Sequence, residues 1–175
     1  MQGDTGVQGD TGDDGSSGAA GDTGVQGDTG VTGDTGEGGN LDPTPDSDET
    51  YSGTISQFTA NENQAFGDVC YINGDGEMQL GDADAIATSK IVGMCADDTI
   101  SADASGNYLL YGIARDDTWD WTVGGFIYLS TTGTTGNTLT QTAPSGTDDT
   151  IVIVGVATNA DRMFFNPQLV IVEHV

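Results

Sequence analysis

Glycine occupies every third position at the start of this chain. The register runs through Gly3, Gly6, Gly9, Gly12, Gly15, Gly18, Gly21, Gly24, Gly27, Gly30, Gly33, Gly36 and Gly39, thirteen residues without a break. Glycine averages about 7% of protein sequence, so composition alone does not hold a phase this long. A strict period of three has a steric meaning. Three polyproline-II chains wind about a common axis only where each puts glycine there, because no side chain fits. A flexible glycine-rich linker needs no phase, and solenoid repeats need other periods and inward apolar positions. The expectation is a triple-helical stalk over residues 1–39, and therefore three chains. At about 3.1 Å per residue, the 37 residues from Gly3 to Gly39 span roughly 115 Å.

The triplets Gly3-Asp4-Thr5, Gly9-Asp10-Thr11, Gly21-Asp22-Thr23, Gly27-Asp28-Thr29 and Gly33-Asp34-Thr35 resemble the collagen-like repeats of bacterial and phage proteins. The run departs from animal collagen in containing no proline, so hydroxyproline cannot stiffen it. The resemblance implies a homotrimeric fibre protein. Thr5, Thr11, Thr23, Thr29 and Thr35 take the third place of their triplets, where side chains point outward, and are candidates for hydration or O-glycosylation.

The formal net charge is −25. Residues 1–50 hold twelve acids and no base, and the rest of the chain holds the only three bases, Lys90, Arg115 and Arg162. Such a surface repels phosphate backbones and anionic lipid, so nucleic acid and membrane insertion are not expected. No apolar run approaches the eighteen or so residues of a membrane span. The repeat follows directly on Met1, which leaves a removed leader, or release without one as in phage lysis, as the expected route to an extracellular or virion-surface location. The cysteines, Cys70 and Cys95, lie in strand-like runs, "DVCYI" and "IVGMCAD". They read either as two buried thiols or as a disulfide, and their spacing has no zinc pattern.

Residues 40–52, "NLDPTPDSDETYS", carry two prolines and four acids and read as a short extended connector. From residue 53 the texture becomes that of β-structure. Strand candidates are "GTISQFT", "GDVCYI", "GEMQL", "KIVGMCAD", "NYLLYGIARD", "TWDWT", "GFIYLST", "NTLTQT", "DTIVIVGVATN", "DRMFFN" and "QLVIVEH". No long helical period interrupts them, so residues 53–175 are expected to form an all-β sandwich or barrel head. The segments "GDVCYINGDGEMQL", "KIVGMC", "GIARDD", "GGFIYLST", "LTQTAPSG", "IVIVGVATN" and "RMFFNP" resemble the small β domains that decorate phage capsids and tip phage fibres. That resemblance covers most of residues 66–172 and brings no active-site residue with it.

Little in the head carries catalytic chemistry. The single histidine, His174, is the penultimate residue and a poor general base. "RDDTWDWT" places Asp116, Asp117 and Asp120 beside Trp119 and Trp121. Trp119, Trp121 and Asp120 are candidates for a subunit interface or a glycan contact. The plainer alternative is two tryptophans alternating on one strand and packing in a core. A glycosidase needs two carboxylates set across a cleft, which no spacing reveals. "NGDGEMQLGDAD" resembles half of a calcium loop but lacks the spacing to a terminal bidentate Glu, and a hairpin turn at Asn73-Gly74 or Asp75-Gly76 accounts for it. No cofactor is expected, calcium or another divalent counterion being the alternative. The sequence thus reads as a non-enzymatic fibre subunit whose heads set three chains in register. It would polymerise through contact between head and stalk, the acidic rod needing a partner surface. The alternative is a receptor- or glycan-binding adhesin at a fibre tip.

Overall fold

A computed structural model of the chain describes residues 41–174. The glycine register and the threonine candidates of the repeat lie outside the described residues. Within them the chain is all-β and contains no α-helix. The strands are β1 (Thr50–Thr59), β2 (Gln64–Ala65), β3 (Val69–Ile72), β4 (Met78–Leu80), β5 (Ile91–Cys95), β6 (Thr99–Ile100), β7 (Ser105–Arg115), β8 (Phe126–Leu129), β9 (Leu139–Thr140), β10 (Thr150–Ile151), β11 (Ile153–Asn159), β12 (Arg162–Phe165) and β13 (Val172–Glu173).

Nine of these form one curled, half-barrel sheet in the order β4-β3-β5-β7-β12-β11-β8-β9, with β1 also on β7. β7 is the hub. β1 runs antiparallel along it from Thr50↔Arg115 to Thr59↔Ser105. A strand has only two edges, so β5 and β12 share the other one. β5 takes Tyr108 and Leu109, and β12 takes Gly112 to Arg115. The β1 register slips between Thr54 and Ile55, where Thr54 faces Tyr111 and Ile55 faces Leu109. This bulge at Leu110 lets the sheet turn away from itself between β5 and β12.

The register assigns the faces, because directly opposed residues point the same way. Val69, Met94 and Leu109 form one cross-strand row and belong to the larger core, with Ile127, Leu129, Val154, Met163 and Phe165. Cys70 with Leu80, and Cys95 with Tyr108, form rows on the opposite face. They belong to a second core closed by Ala60, Met78 and Ile100. The β4-β3-β5 half of the sheet is therefore covered on both faces. The second core holds a buried Gln64, whose Oε1 accepts from the Tyr108 hydroxyl (2.6 Å) and whose Nε2 donates to the Met78 carbonyl (2.8 Å). This satisfies a polar group that would otherwise be costly to bury.

Several sequence expectations change. "TWDWT" is loop between β7 and β8, not a strand. Trp119 N–H bonds back to Asp116 O (3.1 Å) in a turn, and Trp121 N–H bonds to Ala160 O (2.8 Å) in the distant connection between β11 and β12, so these backbone groups are satisfied without a ladder. The connector is not extended. It bends onto the end of β7, where Arg115 Nη1 donates to Pro45 O (3.0 Å) and Asp117 N–H to Asp48 Oδ1 (2.7 Å). β1 starts within it, at Thr50. "QLVIVEH" yields only the two-residue β13, paired with β10. The turn after β3 is the hairpin expected there. Asn73 Oδ1 accepts from Asp75 N–H (2.9 Å) and Glu77 N–H (3.0 Å), and Gly76 takes the left-handed position (φ 84°). Both cysteines are buried free thiols. Burial pushes the Cys70 thiol well above its ordinary range and Cys95 up to about 12.

Candidate functional site

The loop carrying Trp119 and Trp121 closes one wall of a pocket of about 320 Å³, which Glu49, Asp68, Asp116 and Thr138 also line. The two indoles lie 5.6 Å apart at 48°, and Trp119 is 6.4 Å from Phe66. Both pack from the side against the larger core. Trp119 also covers Gly67, whose left-handed backbone (φ 84°) has no room for a side chain: a Cβ there would lie 2.9 Å from Trp119 Cζ2. The tryptophans thus come together through turns, and Asp120 between them is exposed.

Asp68 is the buried carboxylate of the site, 1% exposed. Its Oδ2 accepts from Ala65 N–H (2.9 Å), and its Oδ1 from Gly136 N–H (2.8 Å) and the Thr138 hydroxyl (3.2 Å). Thr138 Oγ1 in turn accepts from Val69 N–H (2.9 Å). Asp68 therefore ties the start of β3 to the loop between β8 and β9, about seventy residues further along the chain. Burial raises its carboxyl above the ordinary value of 3.8, and the bonds from Ala65, Gly136 and Thr138 partly offset this. A raised folded-state value means that the protonated form favours the native state. The resulting stabilisation is present below the ordinary carboxylate value and is lost as pH rises through the elevated one. Asp68→Asn should therefore flatten that decline. It should also cost about 1–3 kcal/mol at neutral pH, because the amide nitrogen cannot accept a backbone N–H. Urea unfolding of both proteins across the acid range measures the two effects.

Asp116 is also buried, and its Oδ1 accepts from Thr118 N–H (2.8 Å) and the Thr118 hydroxyl (2.6 Å). Glu49 differs. It is exposed at the rim, with its backbone in the left-handed region (φ 51°), uncommon for a residue with a side chain. Slight burial, then the hydrogen-bonded Asp98 carboxyl, and then the charges of Asp98, Asp48 and Asp116 raise its carboxyl above the usual range. The Trp121 indole Nε1 is buried without a partner.

This arrangement brings two indoles and one rim carboxyl to the pocket, with the Trp121 N–H buried behind them. That is chemistry for stacking on a polar ring. Asp68 and Asp116 are committed to holding loops. Among the described residues no three His, Cys, Asp or Glu side chains converge as a metal cluster. Asn73, the leading residue of the calcium-like segment, spends its side-chain oxygen on the turn. Sequence reasoning singled out the tryptophans but missed Glu49, Asp68 and Thr138, which lie far from them in the chain. Two of the three bases are bound within the head. Arg115 Nε meets Asp117 (2.7 Å) and Asp161 (3.5 Å), and Arg162 meets Asp161 (3.4 Å). No family model, curated protein or solved structure matches the chain.

Proposed function

We propose that this protein is a non-enzymatic structural subunit: a homotrimeric fibre protein with an N-terminal collagen-like stalk and a C-terminal β head, assembling into an extracellular or virion-associated filament. The observation that carries this reading is the unbroken glycine register from Gly3 to Gly39, whose steric logic requires three chains. The heads supply what a proline-free repeat lacks, a folded unit that aligns three chains before the helix propagates and so reduces the entropy cost of starting it. Sedimentation of the full chain should give trimers and their polymers but no monomer, and negative-stain microscopy should show filaments. Deleting residues 1–36 should leave soluble heads that form no filaments. A monomeric full chain, or filaments persisting in the truncation, would refute the reading. Free trimers that attach to cells, with binding lost in Trp119→Ala, would favour the second reading, a glycan-binding adhesin, which the paired indoles support.

The stalk's charge gives a further expected result. Its acids, Asp4, Asp10, Asp13, Asp14, Asp22, Asp28, Asp34 and Glu37, have no base among them, and in a trimer they stand side by side in triplicate. Arg115 and Arg162 are engaged by their own head's carboxylates, which leaves Lys90 as the base outside any ion pair among the described residues. Repulsion therefore dominates and is screened by salt, the Debye length being about 8 Å at physiological ionic strength. Melting of the repeat, followed by circular dichroism, should shift upward on adding sodium chloride or calcium. A downward shift would show that the acids are already favourably paired.

A further inference from the structure

We propose that the pocket beside Trp119 and Trp121 takes a sugar ring carrying a protonated amine, an unacetylated amino sugar, in preference to a neutral sugar; this rests on the second, glycan-binding reading above. The pocket's volume of about 320 Å³ lies at the small end of ligand sites and suits a ligand of one ring. Both indoles line it, their centroids 5.6 Å apart. An indole gives a sugar ring an apolar surface to lie against, and tryptophan is also the side chain whose ring attracts a cation most strongly.

The polar groups of the pocket decide the charge of its occupant. Its donors are spent inside the head. The Thr118 hydroxyl donates to Asp116 Oδ1 (2.6 Å) and the Thr138 hydroxyl to Asp68 Oδ1 (3.2 Å). The backbone N–H groups of Gly67 and Trp121 bond to Cys95 O (3.0 Å) and Ala160 O (2.8 Å), and Trp121 Nε1 is buried. What stays open is acceptor. Asp116 is 7% exposed, yet Thr118 takes only its Oδ1. Its Oδ2 receives no donor among the described residues and is not sealed from solvent. A nearly buried carboxylate oxygen without a partner is costly until a donor arrives. Glu49 brings a second carboxyl at the rim. Slight burial, then the hydrogen-bonded Asp98, then the charges of Asp98, Asp48 and Asp116 raise that carboxyl, so negative charge is crowded at the mouth and a bound cation relieves it. No Lys, Arg or His lines the pocket. An ammonium supplies N–H donors and positive charge together, whereas a neutral hydroxyl supplies only a donor. A metal ion suits the site less well, since no three carboxylates converge among the described residues and part of the wall is indole.

Trp119 and Trp121 are the chain's only tryptophans, so their fluorescence reports on the pocket directly. The full chain is titrated with glucosamine and with N-acetylglucosamine, the same ring without the charge. The titration runs at about pH 6.5, where the amine is protonated, in about 0.15 M sodium chloride to screen the acidic surface at large. Glucosamine should shift the emission saturably and bind at least about tenfold more tightly than its acetylated form, the value of a hydrogen bond to a charged group. Glu49→Gln, on the exposed rim, and Asp116→Asn should each cut that preference by about threefold or more, and the Glu49 variant should keep the wild-type urea transition. Should Asp116→Asn fail to fold, Glu49→Gln alone decides. Equal affinity for the two sugars would overturn the amino-sugar assignment and leave the glycan reading standing. So would a preference that survives the substitutions. Tighter binding of Nα-acetyl-lysine amide than of glucosamine would overturn it in favour of a protein side chain. A response to neither sugar would overturn it as well, the glycan reading then being judged separately by the cell attachment of Trp119→Ala.

Discussion

Gly21→Ala should abolish the cooperative melt of the N-terminal repeat, or lower it sharply, while the β head keeps its own transition. Gly21 lies near the middle of the register, with six axial glycines on either side. In a trimer one substitution places three methyl groups at the axis, where three backbones already touch, and the chains must separate locally. The repeat has no proline to hold the neighbouring triplets extended, so the disruption should spread further than in a proline-rich helix. The head has its own two cores and does not depend on that packing. Circular dichroism melting, with sedimentation before and after, separates the two units. An unchanged melt would mean that the glycine phase has no axial role, and the stalk would have to be read as a linker.

Gly112→Ala should destabilise the head by about 3 kcal/mol, the upper part of the range for forcing atoms into a packed site. Gly112 and Gly53 are opposed on β7 and β1. A Cβ on Gly112 would collide with the Ser52 carbonyl oxygen and come within 2.8 Å of Gly53 Cα; one on Gly53 would meet the Tyr111 carbonyl oxygen and come within 2.7 Å of Gly112 Cα. These are backbone atoms, so no rotamer change relieves the contact. Yielding would prise β1 from the strand that holds both halves of the sheet. Gly74→Ala is the control, since a Cβ there meets nothing within 4 Å, and it should lie within about 0.5 kcal/mol of wild type. Equal urea midpoints for the two variants would refute the account.

The close approach at Gly53 and Gly112 shows where sequence reading runs out. Nothing in "YSGTIS" or "LLYGIA" marks those glycines as partners; the opposition arises only when β1 lies along β7. "RMFF" and "FIYL" were legible as strands because local apolar and aromatic runs favour the pleat whatever they pair with. Which of their faces would be covered was not legible, since both carry apolar side chains. "TWDWT" misled for the opposite reason: alternating aromatics satisfy a strand pattern, but here Trp119 N–H closes a turn, Trp121 N–H bonds the distant Ala160 carbonyl, and the indoles lie 5.6 Å apart.

The sequence by itself determined the glycine period, the separation of an acidic, base-free N-terminal region from a β-rich remainder, the all-β class of that remainder and most of its strands. These follow from the order of residues along the chain and from short-range sterics. The tertiary structure alone decided that Asp68 would anchor Gly136 and Thr138, that Arg115 and Arg162 would turn inward to Asp117 and Asp161, and that one half of the sheet would be capped while the aromatic face of the other stayed open. Each depends on residues tens of positions apart meeting through the curl of one sheet around β7. Local periodicity carries no information about which distant segments will meet.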